Sequence, residues 1–313
     1  MSATDSAITT WFENHRAFLW GLSYRITGSA EDADDVVQDT FVRACRHAPA
    51  HLDNPRQWLM RIAINLGRDV LRRRKRRGYV GPWLPTLVET GDDDSPPSFE
   101  PAFDGQTLEA RYDLLESASL AFLQALEALT PTQRAVLLLR DAFDYTAAEV
   151  AAVIDTTEGN VRIIHMRARR AMEAYEQRRT APTPAVRART NDALRRFVEL
   201  LTKGDVHAIE QMLAADVKAV TDGGGEFTAS RIPIVGAVHV ARFFARLAAS
   251  RTGRVDLEIR SINGQAAALF EFPQARGRRA PRLVLSIDLD ADQSIANVWV
   301  IASSAKLARI RVM

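Results

Sequence analysis

Residues 145–175 read YTAAEVAAVIDTTEGNVRIIHMRARRAMEAY, and their spacing decides the fold class of the chain around them. Thr146, with Glu149 three residues later, forms a capping box that opens a helix. A second start follows at Thr156 or Thr157, either of which can cap the long basic helix after it. Along that helix Val161, Ile164, Ala168 and Met172 recur at helical spacing and predict the face that packs. Glu158, Arg162, His165 and Arg169 fall on another stripe, directed outward. A helix packed on one side and arginine-rich on the other has the plan of a DNA-recognition helix. A solvated charged helix carries the same charges, so the flanking chain has to decide between the two.

At 313 residues the chain is long enough for two or three domains, each with its own core. The net charge is only +2, so a nucleic-acid role must come from local clusters. Residues 68–77 are strongly basic, whereas 31–39 and 89–104 are acidic, which predicts separate surfaces for separate partners. Cys45 is the one cysteine; it excludes an internal disulfide or a multi-cysteine metal site, and its place in a helical apolar pattern predicts a small buried side chain. Asp5 and Glu13 precede any apolar run, which argues against a signal peptide. No run approaches the roughly 18 apolar residues of a membrane span, so a cytoplasmic protein is expected.

The chain before the opening stretch is helical and then breaks. Trp11, Phe12, Phe18, Leu19, Leu22 and Ile26 keep a helical period that Thr27-Gly28 stops. Ser29 and Asp32 make the next capping box, with Ala33, Val36, Val37, Thr40, Phe41 and Ala44 inward and Asp32, Asp35, Gln38, Asp39 and Arg43 outward. Asn54, Pro55 and Gln57 open a third helix that carries Trp58, Leu59, Ile62, Ala63, Leu66 and Val70 inward and runs into a cationic end, for which phosphate is the obvious partner; a frayed, solubilising helix end is the bland alternative. Residues 78–105 have prolines, glycines and acids without a sustained period and read as a linker, in which Trp83-Leu84-Pro85 looks placed to dock. Helical spacing resumes over 108–129, and Thr130-Pro131-Thr132-Gln133 opens a helix containing Ala135, Val136, Leu137, Leu138 and Leu139.

Three blocks together, EDADDVVQDTFVRA (31–44), NPRQWLMRIAINLGRD (54–69) and residues 126–172, resemble regions two and four of the bacterial extracytoplasmic-function sigma factors, in order and spacing over roughly half the chain. The resemblance implies a region-two domain over 5–77 that melts and reads the minus-ten promoter element. It implies a linker over 78–107 and a region-four helix-turn-helix domain over 108–176 that reads the minus-thirty-five element. It places Asp34, Asp35, Gln38 and Asp39 against core RNA polymerase, and Asn65 and Asp69 at a flipped base, with the loop 47–54 in that pocket. Arg72, Arg73, Arg74, Lys75 and Arg76 would hold phosphates, and Arg162, His165 and Arg169, with Asn160 near the helix start, would approach the major groove. An amide such as Asn65 can pair with the edge of an extruded base, while an arginine can read guanine or merely hold a phosphate.

After a basic, proline-bearing connector over 177–189 the pattern changes. Leu194, Phe197, Val198 and Leu201, then Ile209 and Leu213 after a Gly204-Asp205 turn, predict two short helices. Extended structure begins at 217–220, residues 232–247 include another helix, and 255–259, 266–271, 282–289 and 295–301 read as strands. Helices followed by antiparallel strands describe an α+β domain over 190–313 with a curved sheet, similar to the SnoaL-like cone. Asp222-Gly223-Gly224-Gly225 predicts a tight hairpin, since no phosphate-loop motif follows. The whole is therefore a multidomain fold of two all-α modules and one α+β cone. Sigma factors with such a tail form a subgroup in which a WLP linker motif (Trp83, Leu84, Pro85) and a DGGG tail motif (Asp222 to Gly225) accompany regulation by the attached domain. This chain departs from that subgroup at Thr86 and Leu87 after WLP, at Glu226 after DGGG, and at Ser303-Ser304-Ala305-Lys306-Leu307 near the end.

For catalysis in the cone, Asp222, His207, His239 and Asp288 are the available acids and bases. His207 follows a turn, His239 lies on an amphipathic helix and Asp288 sits on an alternating strand, expected to face water. No metalloprotease, serine-hydrolase or nucleotide motif occurs. The expectation is a non-enzyme without cofactor or metal, partnered by core RNA polymerase and promoter DNA, with a small ligand in the cone as a further candidate. A helix-turn-helix regulator with a ligand-binding or catalytic cone, acting without polymerase, is the alternative.

Overall fold

The computed structural model describes residues 3–49, 52–90, 116–179, 183–251 and 253–313, with the backbone alone for 3–7. The described chain divides into two compact units, one of residues 3–78, 116–118 and 122–176, the other of 79–90, 119–121 and 177–313. Among the described residues no helix is long and apolar enough to cross a membrane.

The first unit is all helical. Helices α1 (Ala3–Thr27), α2 (Ala30–His47) and α3 (Pro55–Arg77) form its N-terminal half. Ser29 caps α2 by accepting from the Asp32 amide, and Asn54 caps α3 by accepting from that of Gln57. Helices α1 and α3 approach closely at Gly67, where an added Cβ would lie 2.8 Å from the Ile26 Cγ2; glycine permits that approach. Cys45 is exposed, against the buried position expected, because it falls one residue past Ala44 on the outward turn of α2. The C-terminal half comprises α4 (Leu120–Ala125, from residue 122 in this unit), α5 (Pro131–Leu137), α6 (Ala147–Ile154) and α7 (Glu158–Glu176). The capping boxes expected at Thr130 and Thr146 both form. Of the helix expected over 108–129, residues 108–115 lie outside the described chain, as do 50–51 of the loop 47–54 and 91–105 of the linker.

The two halves of this unit are joined largely through arginine. Arg134, 2% exposed, donates from Nη1 to the Ile26 carbonyl (3.0 Å) and from Nη2 to Glu127 (2.7 Å). Arg25 is fully buried and donates to Ser117 Oγ (2.6 Å) and the Gly21 carbonyl. Arg68 donates to Thr132 Oγ1 (2.9 Å), and Phe18 meets Phe143 edge-on at 5.6 Å.

The second unit wraps a six-stranded sheet of order β2-β1-β6-β5-β4-β3, with β1 (Leu213–Asp222), β2 (Ile234–Val235), β3 (Asp256–Ile262), β4 (Gln265–Glu271), β5 (Arg282–Leu289) and β6 (Ile295–Ile301). Pairing is antiparallel except between β1 and β6. One face packs on α8 (Pro184–Lys203), α9 (Val206–Gln211) and α10 (Ala237–Ala249) through Phe197, Leu201, Val240 and Phe244. The other face carries Val220, Leu269, Val284, Trp299 and Ile301, covered by Leu84 and Leu87 of the linker and by Leu307 and Ile310. Two expectations change here. The connector is helical from Pro184, since Thr183 caps α8 and proline suits its first turn, so the first predicted short helix has 20 residues. Leu213 does not close a helix: α9 ends at Gln211 with Met212 as its C-cap, and Leu213 pairs with Ile295.

Candidate nucleic-acid interface and linker clasp

Helix α3 presents the residues expected to meet a melted strand. Asn65 is exposed, accepts from Arg68 Nη1 at 3.3 Å, and lines a depression of about 270 Å³ with Arg43, His47, Trp58, Arg61 and Ile62. An amide beside an aromatic ring and several cations can take a base edge, stack on its face and neutralise its phosphate. Asp69 pairs with Arg72 at 2.8 Å, and both line a second depression of about 640 Å³ with Arg73, Lys75, Arg76 and Pro131. Arg74 stands apart from the expected phosphate cluster. It is half-buried and donates to the Thr27 carbonyl (2.7 Å) and to Glu127 (3.1 Å), because its position on α3 turns it toward α1.

The acidic residues of α2 keep the outward face expected of them. Asp35, Gln38 and Asp39 are exposed, and Asp34, also exposed, accepts from the Trp20 indole at 2.8 Å.

Helix α7 starts at Thr157, whose hydroxyl accepts from the Asn160 amide, while the Asn160 side chain donates to Thr156. Asn160 is thus engaged in capping. Val161, Ala168 and Met172 are buried as expected. Of the expected outward stripe, Glu158, Arg162 and Arg169 are exposed and His165 is half-buried. At about 100° per residue, the positions opposite this buried line are 159, 163, 166 and 170, and Ile163 and Met166 stand 46% and 63% exposed. His165 is half-buried, with Nε2 at 2.6 Å from Asp141, and Arg169 lies 3.8 Å from the same carboxylate. His165 thus flanks the buried line, whereas Arg169 is exposed like Arg162. Arg162 is exposed and pairs with Glu158 at 2.8 Å. The sequence reading followed charge and so overlooked Ile163 and Met166; their distance from the buried line was the available signal.

In the second unit the linker motif and the tail motif meet at one carboxylate. Asp222, 2% exposed, accepts from Tyr79 Oη (2.7 Å) and the Gly224 amide (2.8 Å) on Oδ1, and from the Leu84 amide (2.8 Å) on Oδ2. Lys306 Nζ pairs with that Oδ2, donates to the Leu84 carbonyl, and sits 4.5 Å from the centres of both the Tyr79 and Trp83 rings. Gly223 to Gly225 form a tight turn but not the tight hairpin expected, since β2 begins only at Ile234; Gly224 adopts φ +65 with an added Cβ only 2.5 Å from Ser303 Oγ. The linker then runs along the sheet edge: the Leu87 amide donates to the Lys306 carbonyl, that of Val88 to Asn263 Oδ1 and that of Thr90 to the Ser261 carbonyl. Burial pushes the Glu89 carboxyl up, but hydrogen bonds from Arg311 and the charges of Arg260 and Arg311 outweigh it and hold the group below its ordinary range. Tyr79, Lys306, Asn263 and Glu89 were missed as site residues. Two of the departures from the subgroup motif meet in space: Ser304 donates from its amide and hydroxyl to Glu226.

The groups considered for catalysis are dispersed. His207 contacts Gln211 on an exposed turn, His239 is exposed, and Asp222 is taken up by the clasp. Asp288 is half-buried. Burial pushes its carboxyl up to about 6, against the lowering effect of hydrogen bonds from Trp299 and Asn297.

Residues 11–77 match the sigma-70 region 2 family and residues 119–172 the sigma-70 region 4 family. The chain is 30% identical to the ECF RNA polymerase sigma factor SigJ of Mycobacterium tuberculosis, over 94% of this chain and 91% of that one. It is 28% identical to the probable ECF RNA polymerase sigma factor SigI of the same organism, over 99% and 98%. The crystal structure of Mycobacterium tuberculosis SigJ superposes with a TM-score of 0.73 at 28% identity, covering 96% of this chain and 98% of that one.

Proposed function

We propose a division of labour within a chain that belongs to the extracytoplasmic-function sigma factors of RNA polymerase. Such a factor binds core polymerase and directs it to promoters, and it is not an enzyme. A helix-turn-helix regulator acting without polymerase would have no use for region 2, which the chain carries. In our reading the module over 5–77 faces the polymerase with Asp34, Asp35, Gln38 and Asp39. It takes a base of the opened strand at Asn65, Asp69 and Trp58, and holds phosphates with Arg72, Arg73, Lys75 and Arg76. The module over 108–176 reads the minus-thirty-five element with the stripe of Ile163 and Met166, flanked by Arg162. The cone over 190–313 tunes initiation by gripping the linker over 78–107. It is non-catalytic, its cavity is a seat for a small ligand, and the protein works in the cytoplasm.

The observation that carries the tuning role is the Asp222 carboxylate gathering Tyr79, Leu84 and Lys306. A linker with Leu84 and Leu87 buried on the sheet is anchored, and it joins the two DNA-reading modules. The test is run-off transcription with core polymerase, comparing the wild-type chain with Trp83→Ala and Asp222→Asn. A several-fold change in promoter-specific transcript is expected for both variants. Equal transcript from all three folded proteins would remove the tuning role.

A further inference from the structure

The cone holds a cavity that the clasp does not use. It measures about 440 Å³, inside the range of about 300–1,000 Å³ typical of small-molecule sites. Its floor is Phe270 of β4 and Phe272 just beyond it, stacked with planes 2° apart, with Leu283 and Leu285 alongside. Phe244 and Ala248 of α10 form the opposite wall. No carboxylate lines the cavity among the described residues.

Its polar groups are few. Thr202 spends its hydroxyl on the Glu199 carbonyl, and Lys203 is paired with the Glu199 side chain at 2.6 Å. Arg251 is different. Its guanidinium lies 4.3 Å from the Phe272 ring centre and donates from Nη1 to the Ala280 carbonyl at 2.9 Å. No carboxylate stands within ion-pair distance of it among the described residues. Burial and the neighbouring Arg279 charge both press on its protonated form. The Phe272 ring and one carbonyl compensate this half-buried cation only in part, and with a second cation beside it an anion is the ligand that would stabilise it most. A cationic ligand would add a third like charge, and a neutral one would cover Arg251 without compensating it.

We propose that the cavity binds an amphipathic monocarboxylate, an aliphatic acid whose tail lies over Phe244, Phe270 and Phe272 and whose carboxylate pairs with Arg251. The proposal deepens the reading of the cone as a seat for a small ligand and is independent of the clasp. Isothermal titration of the full chain with octanoate, octanol and octylamine, each below its micellar range, tests it. Octanoate should bind saturably at one site, octanol about tenfold more weakly or worse, and octylamine not at all. Arg251→Gln should erase the preference for octanoate while leaving octanol binding, and Ala248→Trp, which fills the cavity, should abolish both. Absent octanoate binding, equal affinity for octanol, or a preference that survives Arg251→Gln would each overturn the proposal. If Arg251→Gln fails to fold, the octanoate-to-octanol comparison and Ala248→Trp still decide. None of these outcomes bears on transcription by the Trp83 and Asp222 variants, so the two readings fail separately.

Discussion

Replacing Lys306 by methionine keeps the length of the side chain and removes its charge and its donors. In the wild type that ammonium is 9% exposed, pairs with Asp222, donates to Leu84 and lies over two aromatic rings. Breaking one half of a buried ion pair costs about 3–5 kcal/mol, because the remaining charge is left without its partner. Asp222 retains three other donors, from Leu84, Tyr79 and Gly224, so the lower end, about 3 kcal/mol, is expected. The loss falls on docking of residues 79–90, because the pair ties linker to tail and Lys306 lies outside the strand ladder. At 1.4 kcal/mol per factor of ten, the undocked linker becomes roughly a hundredfold more populated. Amide hydrogen exchange reads that population directly. The amides of Leu84, Leu87, Val88 and Thr90 all donate to the cone, and their protection should fall together by about two orders of magnitude. Adding Asp222→Asn should restore part of it, since no unpaired charge then remains. Protection that is unchanged in Lys306→Met, or lost at Leu84 alone, would refute the claim that this pair holds the linker as a unit.

Other expectations are more local. Ile163→Ala with Met166→Ala should weaken binding to a selected minus-thirty-five element by about tenfold, and replacing thymine by uracil in that element should reproduce the loss, as methyl contacts require; an effect of the variant without an effect of uracil would rule out methyl reading. Asn65→Ala should cost about 1–3 kcal/mol at one position of the melted strand, seen as a slower appearance of permanganate-reactive thymines with closed-complex affinity kept; equal reactivity would remove Asn65 from base recognition. Asp288, raised to about 6, favours the fold fully below its unfolded value near 4 and loses that favour as pH rises through about 6, so Asp288→Asn should stabilise the cone by about 1–3 kcal/mol at pH 7.5 and little at pH 4.5; urea unfolding with the same gain at both pH values would contradict this. Arg134→Met should loosen the helical unit, lowering energy transfer between dyes at Cys45 and at Glu173→Cys; unchanged transfer would deny Arg134 its joining role.

Much of the fold was legible because its signals are local. Capping boxes at Thr130 and Thr146 and the strand limits of β5 and β6 need only neighbours a few residues apart. The errors mark where distant partners decide. Leu213 continues a helical apolar pattern, yet its ladder partner is Ile295, which no local period reveals. Cys45 missed burial by one residue of helix rotation. His165 was chosen for charge, whereas Asp141, in the helical segment that follows α5, holds it half-buried; Arg169 stays exposed. The clasp was half visible: WLP and DGGG stand out, but Tyr79 and Lys306 become site residues only through contacts spanning 143 and 84 positions.

If its two modules read the two promoter elements proposed for them, the helical unit cannot engage both as it is packed. Their names place them about 25 positions apart, roughly 85 Å of straight duplex at about 3.4 Å per step. A compact unit of roughly 150 residues has a radius of gyration near 15 Å and so falls well short of that span. The halves must separate, and their contacts suit separation. Arg25, Arg68, Arg74 and Arg134 donate to carbonyls, hydroxyls and Glu127, interactions of about 1–3 kcal/mol each that water or phosphate can replace. Arg74 is the telling residue, since it lies within the basic run of α3 yet binds Glu127 when the halves are packed. It can neutralise a phosphate or hold the second half, not both at once. On the function proposed above, promoter DNA would compete with the closed packing for the same guanidinium, and opening would supply a cation to the duplex.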